Sequence, residues 1–584
     1  VIAACSPKEH ELTFRKVCLQ SGVNPYLFQM VNIREQVAWV TADKSMATKK
    51  AASYMRAAVK RVALHKPLER RSMECKTDAL VIGAGPAGME AALLLAKAGR
   101  GVCLVEKTPC IGGKVMLYEE VFPNLECATC MLKPKMDEVL YHERIDLMTC
   151  SEVQEVLGFL GNFTVKIKKN ARFVDDEKCV GCGACYEACP VKVKNEFEFG
   201  LSERKAIYTP FAGALPNVPL IDRSNCLRFK GEDCTLCQEA CPLEAVNYDD
   251  KDEVIERDVG AIVIATGFDL FDPSAIEQYG YGRIPEVYTS FEFERILSMT
   301  GPTEGKILTK GLKEPKTIAI IHCVGSRNRK YHGYCSGICC LYALKFAHLI
   351  KKQLPGTAVS HIYTDWCLPG KDHQAFFDSV KEKVQAVRTS QPDSIKIEGD
   401  GDKITVFFDD VSGEKKHFAS DMVILCPAII PPKGTAEIAK LLSLTRSKDG
   451  FLAETHTKLA PVSTAVEGIF IAGCIQGPKD IQSSIAQGAA VSGQILSALV
   501  PGRELELEAI TAEVNAELCG GCQVCISLCP YKAISWDEES KTAVVNEVLC
   551  KGCGTCVAAC PSSALESKHF TTLQIFAEIE GVLA

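Results

Sequence analysis

Cysteine is the residue type through which this chain would do chemistry. It holds 31 of them in 584 residues. Disulfides belong mainly to small secreted domains, whereas these spacings are those of metal ligands. Cys179, Cys182, Cys185 and Cys189, closed by Pro190, form a run whose short loops let three thiolates wrap one iron–sulfur cubane while the fourth reaches a neighbouring cluster. Its partner run is Cys226, Cys234, Cys237 and Cys241, closed by Pro242. One 4Fe–4S cluster is therefore expected on Cys179, Cys182, Cys185 and Cys241, and another on Cys226, Cys234, Cys237 and Cys189. The stretch 227–233 is longer than the usual two residues and is expected to bulge. A second, regular module pairs Cys519, Cys522 and Cys525 with Cys560, and Cys550, Cys553 and Cys556 with Cys529. Zinc is the alternative for any Cys-x2-Cys pair; repetition of the full run, each closed by Cys-Pro, argues against it.

Cys323, Cys335, Cys339 and Cys340 make a further set. Adjacent cysteines cannot both point into the core from one helix, so the pair reads as a helix start wrapped on a non-standard 4Fe–4S cluster, with buried free thiols as the alternative. Five clusters are expected, about twenty iron atoms. A sixth follows if Cys5 and the pair Cys127 and Cys130 contribute ligands. Singles such as Cys103, Cys150 and Cys426 read as small core residues.

Glycines mark a second kind of site. Gly83, Gly85, Pro86, Ala87 and Gly88 follow a strand and open a helix, where glycine permits a tight turn, close backbone approach to a pyrophosphate and helix–strand packing. Glu106 closes the next strand 23 residues after Gly83, placed to accept from a ribose, with Lys107 beside it. Gly113 and Lys114 follow, then Ala265, Thr266 and Gly267, and later Gly473 and Cys474. Together these resemble the FAD-binding parts of thioredoxin-reductase-like, two-dinucleotide-fold flavoproteins. In that superfamily the last strand usually ends Gly-Asp. Here Cys474 takes the acid's place and Asp480 is the nearest carboxylate, so that flavin contact is open or reassigned. The helix from Ile481 would direct its N-terminal dipole at the flavin and favour an anionic, reduced ring. In NAD(P)H-using relatives the second α/β unit opens with its own glycine loop. Residues 321–329 contain none, leaving Arg327 and Arg329 to hold a phosphate alone.

These sites require a doubly wound α/β scaffold. Strands are expected at 77–82, 101–106, 260–265, 317–322, 421–425 and 468–472, and helices at 87–98, 337–352 and 481–499. The expected fold class is a thioredoxin-reductase-like two-dinucleotide-fold flavoprotein with one inserted and one C-terminal two-cluster ferredoxin domain. Its expected parts are an N-terminal α/β domain over 1–72, incomplete because Val1 opens within a strand; FAD-binding segments at 73–173, 253–315 and 431–505; and a ferredoxin inserted in a surface hairpin at 174–252. A degenerate NAD(P)H-like domain carrying a cluster covers 316–430, the second ferredoxin 506–568, and a tail 569–584. The apolar stretch 79–98 is long enough to span a membrane, but Pro86, Glu90 and its glycines favour the strand–turn–helix reading. A net charge of −7 argues against nucleic acid as a partner. Oxygen-sensitive clusters in such number imply a reducing, cytoplasmic and anaerobic setting.

The order of motifs is specific. Ala4-Cys5-Ser6-Pro7, the glycine loop, the stretch from Cys127 to Met136, "CVGSR…YCSGICCLYALK", "AGCIQGPKDI" and the terminal ferredoxin follow one another. In this order the chain resembles HdrA, the flavin-carrying iron–sulfur subunit of the CoB–CoM heterodisulfide reductases, over its full length. That resemblance implies flavin-based electron bifurcation: a two-electron donor reduces FAD, one electron then goes uphill to a low-potential ferredoxin, and one goes downhill towards a disulfide-reducing partner. It implies the B and C subunits of the heterodisulfide reductase as partners, a hydrogenase- or formate-dehydrogenase-type donor, and a homodimer within the complex. It also places Lys345 beside the flavin N5, as a group that tunes the flavin and supplies a proton; a solvated helix lysine is the alternative. A non-bifurcating electron relay and an NAD(P)H-dependent oxidoreductase are the competing functional readings.

Overall fold

The computed structural model describes residues 1–69, 71–389, 392–400 and 403–584, with Asp400 by its backbone only. The chain divides into two compact units: Lys76–Val156 with Leu160–Pro501, and Val1–Cys75 with Leu157–Phe159 and Gly502–Ala584.

The larger unit is built on two five-stranded parallel sheets. The first runs in the order Ile469–Ile471, Ala261–Ile264, Ala79–Ile82, Val102–Val105, Ile145–Met148. Its central strands are short, wholly apolar runs because helices cover both faces. Pro86–Lys97 and Ile481–Ala498 pack together on it, and Gly488 lets them approach: a Cβ there would overlap the Ala87 carbonyl. The stretch 79–98 is thus one strand, a turn and a helix. Among the described residues no helix is long and apolar enough to cross a membrane.

The second sheet runs Val287–Thr289, Met422–Pro427, Thr317–Val324, Ala358–Tyr363, Gln385–Arg388. Its central strand loses register between Ile321 and Val324, where Cys323 takes the left-handed conformation at φ +57. That bulge re-aims one cysteine at the strand's end. The helix Cys339–Gln353 follows, opening on the paired cysteines. The short helix Ser290–Leu297 starts from a Thr289–Glu292 capping box and is buried along its whole length although it carries Glu292, Glu294 and Arg295.

The first ferredoxin segment leaves and re-enters through neighbouring antiparallel strands, Asn162–Lys169 and Glu253–Val259, with Lys169 opposite Glu253. Its stretched loop is compact: a turn of 3-10 helix at Arg228–Lys230, then Gly231 at φ +92, with Arg228 bound to Asp233 at 3.0 Å.

The smaller unit joins the two ends of the chain. Strand Ile2–Ala4 pairs parallel with Met30–Asn32, and Ser72–Glu74 pairs antiparallel with Glu504–Glu506. Residues 569–584 differ from a tail. They contain the helix Thr572–Leu583, which packs on Lys44–Val62 where Gly581 lies against Ala57. Arg61 clamps this contact, bound to Glu578 at 2.6 Å and stacked on Phe570 at 4.3 Å. Six apolar positions of the helix, Leu573, Ile575, Phe576, Ile579, Val582 and Leu583, remain exposed; the periodicity of this segment is helical, and its packing on a helix some five hundred residues away is why it is ordered rather than trailing.

Candidate redox site

A cavity of about 1500 Å³ opens in the larger unit at the carboxyl ends of the first sheet's strands. Gly83, Gly85, Pro86, Ala87, Glu106, Lys107, Gly113, Lys114, Ala265, Thr266, Gly267, Gly473, Cys474, Asp480, Ile481 and Lys345 all line it. Gly88 does not. It lies beneath the loop, where a Cβ would stand less than 3.0 Å from the Gly83 carbonyl oxygen, so its part is helix–strand packing. Gly83 has φ +103, and its missing Cβ would lie 2.5 Å from the Ala265 carbonyl. At Gly85, by contrast, an added Cβ meets nothing within 4 Å. The loop is packed from behind and open in front.

Two features test whether this cradle fits a dinucleotide. The open face of Gly85 lies beside Gly113, which has φ +60 and whose own Cβ would come within 3.1 Å of the Gly85 Cα, so a side chain at Gly113 would press on the loop. The hydroxyl of Thr266 is buried on the cavity wall with no hydrogen-bond partner among the described residues. A large polar ligand would satisfy it. Glu106 steadies the loop by accepting from the Ala84 N–H at 2.8 Å and from the Thr108 N–H at 2.9 Å. Lys114 pairs with Asp269 at 2.9 Å, and although burial opposes it, this cation keeps the Asp269 carboxyl below the usual range. Asp480 caps the helix Ile481–Ala498, accepting from the Ser483 N–H at 2.6 Å. Cys474 sits in the turn Gly473–Ile475 with its thiol pushed up by burial.

Lys345 is not a solvated helix lysine. It is 2% exposed, and its ammonium is ion-paired with Glu294, itself 2% exposed, and donates to the Glu120 carbonyl at 2.9 Å. Burial raises the Glu294 carboxyl pKa, with Lys345 working against it. Tyr118 completes the wall, its ring 5.5 Å from the Lys345 ammonium. Glu294 and Tyr118 carry no sequence signal of their own: one sits in a short buried helix, the other after a 3-10 turn.

The ferredoxin cysteines gather in the four sets expected from their spacing. Cys179, Cys182, Cys185 and Cys241 line one cavity of about 20 Å³, and Cys529, Cys550, Cys553 and Cys556 line another of the same size. In the third set burial raises the Cys237 thiol, Tyr248 hydrogen-bonds it at 3.0 Å, and Cys226, Cys189 and Cys234 act on it further. In the fourth, burial raises Cys525, with Cys522, Cys519 and Cys560 adding to the effect. Burial pushes Cys185 up to about 12 and Cys556 up to about 11. A thiol so placed ionises only with a compensating positive centre. Among the described residues no group of His, Cys, Asp and Glu is drawn tightly enough to hold one metal ion.

Cys323, Cys335, Cys339 and Cys340 also converge. Burial pushes Cys340 up to about 12, with Cys323, Cys335 and Cys367 reinforcing it, and Cys339 feels Cys323, Cys340, Cys426 and Cys335 beyond its own burial. Two further cysteines therefore border this set: Cys367 in a loop, and Cys426, expected as a small core residue, in the adjacent strand. Arg327 is bound to Asp365 at 2.7 Å. Cys127 and Cys130 are both exposed at the start of the helix Ala128–Tyr141, where the Cys127 sulfur caps the Cys130 N–H at 3.3 Å. Cys5 follows the strand Ile2–Ala4 in the smaller unit.

Models of three domain families match the chain: an FAD-dependent oxidoreductase at 78–117, a 4Fe–4S binding domain at 172–194 and a 4Fe–4S dicluster domain at 518–564. The HdrA polypeptide of the H(2):CoB–CoM heterodisulfide,ferredoxin reductase of Methanothermobacter marburgensis is 44% identical over 589 residues, covering 100% of this chain and 88% of its own length. The chain belongs to the HdrA family. The HdrA polypeptide of the ferredoxin/F(420)H(2)-dependent CoB–CoM heterodisulfide reductase of Methanosarcina acetivorans is 42% identical over 92% of this chain and 67% of its own. Among solved structures, the thioredoxin reductase of T. acidophilum is 15% identical, with a TM-score of 0.40 over 72% of this chain and 97% of that one. As a member of the HdrA family, the chain is an oxidoreductase component that combines an FAD domain with 4Fe–4S domains.

Proposed function

We propose that this HdrA-family protein bifurcates electrons at FAD held in the large cavity, drawing on five 4Fe–4S clusters. The observation that carries this reading is one helix. Cys339–Gln353 begins with two cysteines of the converging set, and its next turns place Tyr342 and Lys345 in the cavity wall, with Ile338 just before them. One rigid element thus couples a thiol site to the flavin cradle. Bound FAD would supply the exchange between two-electron and one-electron carriers. The chain's own part is positioning. Lys345 is fixed in the cavity wall by its ion pair with Glu294 and its donation to the Glu120 carbonyl, and Tyr118 helps to exclude water.

Hydride delivery from NAD(P)H has little support. After the strand Thr317–Val324 the backbone turns at Gly325, φ +75, against the ring of Phe271, which fills the space a phosphate loop would open. The names of the relatives point to ferredoxin and to a disulfide-reducing complex. On this basis ferredoxin, the B and C subunits of a heterodisulfide reductase, and a hydrogenase- or formate-dehydrogenase-type donor are the proposed partners, within a cytoplasmic complex containing two copies of this chain. A relay without bifurcation is favoured by one observation: the Methanosarcina mazei relative is named for ferredoxin alone as co-substrate of the heterodisulfide reductase. Mixing the purified protein with reduced ferredoxin or with NAD(P)H tests the electron route. Ferredoxin should bleach the flavin absorbance rapidly and NAD(P)H should not. Rapid bleaching by NAD(P)H would overturn the one-electron route.

A further inference from the structure

Within the first ferredoxin segment, the antiparallel strands Lys192–Lys194 and Glu203–Lys205 are joined by a turn over 195–202 that reaches the large cavity. The turn is tied to itself. The Asn195 N–H donates to the Ser202 carbonyl at 2.9 Å, the Gly200 N–H to the Asn195 carbonyl at 2.8 Å, and the Phe197 N–H to the Asn195 side chain at 3.1 Å. Glu198, at the tip, is withdrawn from solvent. Its side chain is 6% exposed and accepts two hydrogen bonds, at 3.0 and 3.1 Å, from the guanidinium of Arg295, which is 2% exposed. Arg295 also donates to the Leu117 carbonyl at 3.3 Å and to the Thr300 hydroxyl at 3.2 Å, and lies 4.8 Å over the Phe197 ring. A two-pronged pair buried this deeply fixes geometry, and removing one partner strands a charge away from water. Here its two halves belong to different parts of the chain: Glu198 to the ferredoxin segment, Arg295 to the helix Ser290–Leu297.

Around this clamp the ferredoxin segment supplies part of the cavity wall, through Asn195, Glu196, Phe197, Phe199, Tyr208 and Phe211. Phe197 stacks on Phe211 at 4.8 Å, and Phe199 stacks at 5.8 Å on Phe291, which lines the cavity as well. Glu294, the neighbour of Arg295 in the helix, holds Lys345. One short helix therefore carries both the ion pair of the cavity wall and the clamp on the ferredoxin segment. We propose that docking of the turn 195–202 and binding of the flavin are one coupled equilibrium, with Arg295 and Glu198 as positioning residues. The ferredoxin segment completes the cavity, and bound flavin in turn holds that segment in place, because coupling between two sites is reciprocal. The proposal rests on FAD occupying the large cavity. Flavin affinity then depends on contacts far from the glycine loop.

The test is hydrogen–deuterium exchange on the purified, cluster-loaded protein with and without FAD, beside FAD affinity from fluorescence quenching and iron analysis. In the parent, added FAD should slow exchange both in 79–98 and in 195–211. Protection of 79–98 without protection of 195–211 would overturn the proposal. Protection of neither would sink the reading beneath it, that FAD occupies this cavity. Glu198→Gln leaves the Arg295 cation without its counter-charge. It should speed exchange in 195–211 and weaken FAD binding by about tenfold, within the usual span of coupling between two sites, at full iron content. Phe197→Leu keeps the ion pair and alters the wall alone, and should also weaken FAD binding. Parent-like FAD affinity in Phe197→Leu, or in Glu198→Gln at full iron content, would overturn the proposal.

Discussion

Gly85 and Gly88 stand three residues apart, one capping the helix Pro86–Lys97 and one in its first turn, and should fail in opposite ways when given a methyl group. At Gly85 an added Cβ meets nothing within 4 Å, and the backbone φ of −79 suits alanine. The unliganded fold should lose no more than about 1 kcal/mol, the usual scale for alanine at a helix N-cap. The methyl instead occupies the open face of the cradle. Overpacking of this kind costs about 1–3 kcal/mol, or roughly 5- to 150-fold in Kd for FAD. At Gly88 the Cβ would stand less than 3.0 Å from the Gly83 carbonyl oxygen, and its carbonyl carbon is only 3.1 Å away. A backbone atom cannot rotate aside, so about 3 kcal/mol or more falls on the fold itself. The assay is paired: thermal denaturation of the flavin-free protein, and FAD affinity from fluorescence quenching on reconstitution. Gly85→Ala should melt with the parent and bind FAD weakly, whereas Gly88→Ala should melt early. Parent-like FAD affinity in Gly85→Ala, or a parent-like melt in Gly88→Ala, would refute the reasoning.

Three further outcomes are expected. Lys345→Met leaves the Glu294 carboxylate buried without its cation and should cost about 3–5 kcal/mol; denaturation should show Lys345→Met combined with Glu294→Leu recovering most of that loss. Cys241→Ser should remove about four iron atoms although Cys241 lies outside the run Cys179–Cys189, because it is the fourth thiol of that set; iron analysis checks it. Burial lowers His65 in the smaller unit from 6.5 to about 4. The unfolded chain therefore takes up this proton first, and the stability present at pH 7 is lost as pH falls from about 6.5 to 4. Because His65 is only half-buried, the loss should be on the order of 1 kcal/mol. Faster hydrogen exchange in the helix Lys44–Val62 at pH 5 would show it, and His65→Gln should flatten the dependence.

What was legible in the chain was what is local. The strand–glycine loop–helix around Gly83 needs only about ten neighbouring residues to declare itself, and the cradle lies where that motif put it. The ferredoxin cysteines likewise announce their partners, because short loops constrain which thiols can meet. The junction of chain ends was not legible, since the fit of Gly581 on Ala57 involves residues that no sequence period connects. Glu294 was hidden for a related reason. A charged residue in a short helix reads as solvated until its cation, Lys345, is brought to it by a different strand–helix unit. The approach of the Cys367 N–H to Cys340 was hidden as well, because the Asp365 clamp that holds its loop depends on Arg327 and Arg388, each more than twenty residues away.

The claim that electrons leave the flavin one at a time along separate routes is tested most directly by spectroelectrochemical titration of the bound flavin. Bifurcation requires that the one-electron-reduced flavin be unstable, so the spectrum should pass from oxidised to fully reduced with no accumulating radical signal. A radical form that builds up and persists at equilibrium would contradict the account and leave a simple relay in its place.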